Sequence, residues 1–425
     1  MSEREFEEYW WSCIGYAATS GAAILVLIGL FAFVPAVRRR WLPLPRVRPG
    51  LWTGRDVVLA FFVFTGFPLV VAMLLFQIGF FTPLIGPPPD TDAPRPVQGI
   101  YYGRCSVISS PLGLTVTMAV LLMMMYVRSG ARHHHYGLTW ARCPANLGLG
   151  LASVIVVTPL ILSIHKLATS VLGETPNPII DFARALEHEW EWSFIAFQLV
   201  VAAPILEETV FRGLLTGWLQ RATLAGHLAV ISASVLVGVL RGWFEDAETG
   251  GTTDRVLPVV FAFLLAGGYA LAMFRLARRF GLHDEEIQDW TPKPGGTPLP
   301  ENVAWSHETR RQHDETRLDA WRKANARLAV FGAAMLFAMF HVTAWPAPIA
   351  LFPLALIFGA LAQRTQSLIG PIVLHGCFNL VSFIALFGTV HYGTAENGKA
   401  ATTPATPSGA PAAISIPSSQ LPRFK

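Results

Sequence analysis

Two adjacent carboxylates, Glu207 and Glu208, stand beside a guanidinium, Arg212, inside an apolar run. Two later apolar runs carry imidazoles: Phe337 with His341, and His375 with Asn379, each pair four residues apart. On a helix, residues at that spacing share a face, so Glu208 can pair with Arg212, while Glu207, turned by about 100°, points elsewhere. A carboxylate near an imidazole can take a proton from water, and a second imidazole with a carboxamide can hydrogen-bond a developing oxyanion. Those are the parts for hydrolysing an amide by direct attack of water. Glu207 reads as the reactive carboxylate, with Glu208 and Arg212 in support. No serine or cysteine nucleophile is required, and Cys377, two positions from His375, falls on another helix face and reads as packing.

Taken singly, a buried histidine is a satisfied core residue and a Glu–Arg pair is structural; the combination changes the reading. Ionisable groups at membrane depth cost roughly 2.5–3.5 kcal/mol each on insertion scales, so they mark a polar interior. The depth follows from composition: of 425 residues, 52% are hydrophobic and 14% charged, with a mean hydropathy of +0.45. Soluble domains carry about 25% charged residues. The net charge of +4 and a pI near 9.0 come largely from arginines beside apolar runs. They are topology signals, not a nucleic-acid surface. Cys13, Cys105, Cys143 and Cys377 lie in separate segments and imply neither a disulfide framework nor a metal knuckle.

The elements that must position these groups are predicted to form an all-α polytopic bundle of about ten transmembrane helices. The apolar runs fall at about 13–37, 57–85, 106–127, 147–172, 193–220, 228–240, 256–276, 328–344, 349–362 and 367–389. Those at 228–240 and 349–362 are short for a full crossing. The acidic start and long first run read as a span, not a cleaved signal. Six arginines in the loop after it set the cytoplasmic side and leave the N-terminus outside. Pro204, one turn before Glu207, predicts a break in its helix of the kind that lines a cavity. His133, His134 and His135 cannot all face one site and read as a solvated loop, and His165 and Lys166 read as interfacial. The stretch 180–190 reads as an interfacial amphipathic piece, 281–325 as a cytoplasmic hydrophilic loop and 391–425 as a disordered tail.

Glu-Glu-x-x-x-Arg at 207–212, Phe-x-x-x-His at 337–341 and His-x-x-x-Asn at 375–379 follow one another on separate helices. In this order they resemble the CAAX prenyl protease type II family, whose bacterial members are the CPBP (Abi) intramembrane proteases. Arg212-Gly213-Leu214-Leu215 and Gly370-Pro371-Ile372-Val373-Leu374-His375 match the usual surroundings of the first and third motifs. The resemblance covers about 193–386. It divides the chain into N-terminal helices (1–192), a protease core (193–390) with an insertion at about 228–327, and the tail.

The resemblance implies an endopeptidase acting on membrane-associated protein or peptide substrates, of prenylated CAAX type in a eukaryote, within a lipid bilayer and without nucleic acid. It implies that Glu207 and His341 activate the water, that His375 and Asn379 stabilise the tetrahedral intermediate, and that Glu208, Arg212 and Phe337 support them. The family has been described both as metalloproteases and as metal-free glutamate proteases. Glu207, His341 and His375 could ligate zinc as a two-histidine, one-carboxylate set; the expectation here is no obligatory metal. The Arg/Ala/Gly/Pro-rich style suggests a bacterial cytoplasmic (inner) membrane. Relatives also include bacteriocin self-immunity proteins and membrane scaffolds, which is the non-catalytic alternative. A transporter would call for an internal repeat, and the sequence shows no convincing one.

Two departures stand out. More than a hundred residues separate the first two motifs, where a few tens are usual, and the run at 228–240 offers Val237 and Arg241 where phenylalanine and histidine are expected. The topology also puts His341 near the outer end of its helix and His375 in the inner third of its own. A short or re-entrant helix at 349–362 would bring them level.

Overall fold

The computed structural model describes residues 10–12, 14–15, 51–173, 183–184, 186–222, 224–244, 252–280, 321 and 323–401. Nine long helices lie among them: α1 (Gly54–Gln77), α2 (Arg95–Ser129), α3 (Cys143–Leu172), α4 (Glu189–Leu219), α5 (Leu224–Phe244), α6 (Thr252–Phe280), α7 (Lys323–Phe340), α8 (Ala347–Thr365) and α9 (Ile369–Ala401). Eight are long and apolar enough to cross a membrane; α5 is the exception, its apolar part Leu224–Leu240 being shorter. No strand occurs among the described residues. The chain is an all-α, polytopic, integral membrane protein. The span read at 13–37 and the loop at 281–320 lie outside the described residues.

Side chains such as Val58, Phe62, Leu69 and Met73 on α1, or Phe263 and Leu264 on α6, stay exposed on the bundle's outside. Lipid tails cover such faces, so helix association must rest on close packing and hydrogen bonds. Glycines supply the close approaches. A Cβ on Gly376 of α9 would fall 2.6 Å from the Val200 carbonyl oxygen of α4, and one on Gly150 of α3 would fall 2.8 Å from the Gly370 carbonyl oxygen of α9. The start of α9 is thereby held between α3 and α4. Helix α7 is the central one, with Ala329, Ala333, Met335, Phe337, Ala338 and Met339 all buried. It runs antiparallel to α8, where the Gln363 amide donates to the Ala326 carbonyl.

At the basic ends, Thr53 caps α1 by donating its backbone N–H and its hydroxyl to Asp56 Oδ2, both at 2.9 Å. Asp56 Oδ1 accepts Arg128 Nε at 2.7 Å, tying the start of α1 to the last turn of α2. The histidine triplet forms a short turn with His133 and His134 exposed. Burial, reinforced by the neighbouring His134 and Arg132, pushes His135 below the usual imidazole range. Lys166 lies over the Trp11 ring at 3.9 Å, as an interfacial residue would.

Helix α4 is not uniform. Wider π segments at Gln198–Ala202 and Thr209–Leu215 flank an α-helical piece, Ala203–Glu208, that opens on Pro204. The expected break takes this form: a proline without an N–H loosens the ladder, and extra residues are accommodated on either side.

Several boundaries differ from expectation: α1 ends at Gln77, short of 85, and α2 begins at Arg95, well before 106. The run at 328–344 stops as a helix at Phe340, and His341 begins a turn into Val342–Ala344. The helix expected to be short at 349–362 has 19 residues, enough to cross. Helix α9 continues to Ala401, into the stretch 391–425 read as a disordered tail; no proline interrupts it before Pro404. The remainder of that tail lies outside the described residues.

Gly376→Ala tests the α4–α9 contact. Its new methyl group has backbone, not a flexible side chain, in its way, and overpacking of this kind costs about 1–3 kcal/mol. A lower melting temperature in detergent is expected, and an unchanged one would contradict the close approach.

Candidate active site

The site is built where α4, α7, α8 and α9 meet. Glu208 and Arg212, one turn apart on α4, have side chains 0% and 1% exposed, and Glu208 Oε1 accepts Arg212 Nη1 at 3.0 Å. The same oxygen lies 3.0 Å from His375 Nδ1 of α9. The other guanidinium arm, Nη2, donates to the Ala355 carbonyl of α8 at 3.4 Å. Its plane lies over Phe337, 4.4 Å from the ring centre, and over Phe358, at 5.0 Å. A buried cation is thus balanced by a carboxylate and two ring faces, which is what a membrane interior requires of it.

His375 stacks on Phe358 with centroids 4.9 Å apart and meets Phe337 edge-on at 5.9 Å. Because an ionised Glu208 has only acceptors to offer, Nδ1 must carry a proton. Nε2, the ring's other nitrogen, faces Glu207 Oε2 at 3.8 Å, too far for a direct hydrogen bond. Oε2 of Glu207 and Oε2 of Glu208 are both buried with no hydrogen-bond partner.

Of the expected residues, Glu207, Glu208, Arg212, Phe337 and His375 come together. His341 stands apart. It ends α7, its Nδ1 donates to the Phe337 carbonyl at 2.9 Å, and its ring lies on Phe337 with centroids 4.7 Å apart. The Phe337 ring therefore touches both imidazoles, and no ion pair joins His341 to Glu207. Phe337 lies between the two imidazoles. Asn379 donates its amide to the Leu199 carbonyl, in the first π segment of α4, at 2.8 Å. In this arrangement it pins α9 to α4.

Among the described residues, no three His, Cys, Asp or Glu side chains gather closely enough to hold a metal ion. The zinc set suggested by Glu207, His341 and His375 is not assembled, and no step below passes through a metal.

Residues 189–281 and 315–381 match the family model of the Rce1-like type II CAAX prenyl endopeptidases. The match covers these two stretches, less than half of the chain. Among curated proteins and solved structures, nothing matches the chain. The family match runs through α5 and α6 and leaves 282–314 as the unmatched interval; α1, α2 and α3 lie outside it. Val237, found where the motif's phenylalanine was expected, packs with Ala262, Met339 and Val342 beside the end of α7. The side chain of Arg241 is outside the described residues.

Sequence reasoning missed three participants in this cluster. Phe358 carries no motif and looks like any core aromatic. The Leu199 and Ala355 carbonyls are backbone groups whose availability no side-chain pattern announces.

The two glutamates should behave differently on substitution. Glu208→Ala leaves Arg212 buried without its carboxylate, a loss of about 3–5 kcal/mol, and should abolish accumulation of folded protein. Glu207→Gln keeps the shape of a side chain that is 17% exposed and whose Oε2 has no hydrogen-bond partner, and its melting temperature should stay close to wild type. Equal loss of stability in both variants would contradict this division.

Proposed function

We propose that the chain is an intramembrane endopeptidase in which water held between Glu207 and His375 attacks a peptide bond of a membrane-associated protein. The observation that carries this is the 3.8 Å gap between Glu207 Oε2 and His375 Nε2, with that carboxylate oxygen buried and unpartnered. Glu207 takes a proton as the water oxygen bonds to the carbonyl carbon and the carbonyl oxygen becomes an alkoxide. Collapse of the alkoxide breaks the C–N bond, and the proton passes from Glu207 to the departing amine. Glu208 holds His375 by Nδ1, so the imidazole keeps Nε2 toward the water, as a carboxylate does for the histidine of a hydrolytic triad.

This assigns the partner of Glu207 differently from the motif-based expectation. His375 is the imidazole near Glu207, so His341, with Nδ1 bound to its own helix and Nε2 free of it, takes the oxyanion. Asn379 becomes the residue that sets the height of α9 on α4. The substrate class is a protein with a lipidated, CAAX-type C-terminus, by the match to the Rce1-like family model, and the proposed setting is a bacterial inner membrane.

The test is cleavage of a prenylated, membrane-tethered peptide by purified full-length protein in nanodiscs. Glu207→Gln should lower kcat by about 10²–10⁴ without unfolding the protein, His375→Gln should do likewise, and His341→Ala should lower kcat more than it raises KM. Cleavage should survive chelation. Undiminished cleavage by Glu207→Gln would end the hydrolase reading, and loss on chelation with recovery on zinc would end the metal-free form of it.

A further inference from the structure

Trp52 precedes α1, outside the family-matched stretch, yet it is buried against the helix that carries both glutamates. Its indole N–H donates to the carbonyl of Leu214, in the second π segment of α4, at 3.0 Å. The approach is possible because α4 is bare on that side. A Cβ on Gly217 would fall 2.9 Å from Trp52 Cζ2, and one on Gly213 would fall 3.2 Å from Tyr136 Cβ. Tyr136, from the turn after α2, tilts against Trp52 with centroids 5.3 Å apart, and the Arg221 guanidinium lies over the indole at 5.7 Å. The Thr53–Asp56–Arg128 cap fixes the neighbouring backbone.

Two rings from the unmatched part of the chain thus press on the back of the turn whose front bears Arg212. A π turn is rare and persists only where its surroundings over-determine it. Relaxing it to α geometry turns one side of the helix against the other by about 100°. Arg212 lies within the same π segment as Leu214, and its guanidinium must meet Glu208 on one side and the Ala355 carbonyl on another helix. A turn of that size leaves the one-turn pair intact but carries it off the face that meets the Ala355 carbonyl and His375, because Gly213 and Gly217 stay held against Tyr136 and Trp52.

We propose that Trp52 is a positioning residue: its N–H holds the register of the second π segment, so that the Glu208–Arg212 pair stays turned toward α8 and α9 and Glu208 holds His375 toward Glu207. The proposal rests on the reading of Glu207 and His375 as the pair around the attacking water. It also gives the helices outside the family match a part in the site.

The test replaces Trp52 by β-(3-benzothienyl)alanine, which keeps the two-ring shape and puts sulfur where the N–H was, with Trp52→Phe beside it. Both are made in the full chain and studied in nanodiscs. For the benzothienyl variant kcat should fall about tenfold with KM unchanged, and the melting temperature should fall only by the share of one buried hydrogen bond. The imidazole ¹⁵N signals of His375, assigned by their absence in His375→Gln, should move. Trp52→Phe should lose more melting temperature, because it also removes a ring. Unchanged kcat and unmoved His375 signals in the benzothienyl variant would overturn the proposal, as would a loss of kcat that only follows a loss of folded protein. If wild type cleaves nothing, or Glu207→Gln cleaves as wild type does, the hydrolase reading is what fails. The His375 signals then decide alone: movement upholds the link from Trp52, and no movement overturns it.

Discussion

One carboxylate oxygen, Oε1 of Glu208, is shared by a guanidinium and an imidazole at a depth where neither can be left to water. A buried ion pair is not by itself stabilising, because desolvation of both charges offsets much of their attraction. What it does well is fix geometry. With Arg212 sealed between two phenylalanine faces, Glu208 has one place to be. His375 then has one orientation compatible with donating to it. The arrangement of α4, α8 and α9 around α7 follows from satisfying that oxygen.

The two π segments of α4 serve the same constraint. Each has one carbonyl bound by a side chain from elsewhere: Leu199 by Asn379 and Leu214 by Trp52. Between them lies the α-helical piece ending in Glu207 and Glu208. A regular helix would carry the glutamates, Arg212 and the two glycines at fixed angles, and the carboxylates could not be turned inward independently of the face that packs on Trp52. Wider turns on both sides decouple the three.

How much of this was legible follows from which interactions are local. The Glu208–Arg212 pair is a one-turn interaction, readable from spacing alone, and the apolar runs are long enough that most spans could be bounded within a few residues. Pro204 announced a break in α4 but not its kind, since a proline says where the ladder weakens and nothing of which carbonyl a distant tryptophan or asparagine will hold. The partner of Glu207 could not be read at all. Four-residue spacing places Phe337 and His341 on one face, and the same rule places His375 with Asn379, yet it carries no information on the stagger between α7 and α9. That stagger is set by the Gly376 and Gly150 contacts and by Gln363 on Ala326. It brings Phe337, not His341, alongside His375. Helix α9 outran its expected end because the sequence after Thr389 has a tail's composition but no proline before Pro404; Gly393 and Gly398 do not stop it.

Charge gives the arrangement its chemical direction. Two carboxylates, Glu207 and Glu208, meet the single guanidinium of Arg212, with the His375 imidazole between them, so the formal charge around the gap has an acidic excess. In an apolar surround such an excess favours taking up a proton. On the proposed reading, water gives that proton to Glu207 only as its oxygen bonds to the substrate carbonyl, so the negative charge passes to the alkoxide and not to a free hydroxide. The ring faces of Phe337 and Phe358, which shelter Arg212 and His375, offer the proton no lone pair. On that reading the same rings confine it to the carboxylate that returns it to the leaving amine.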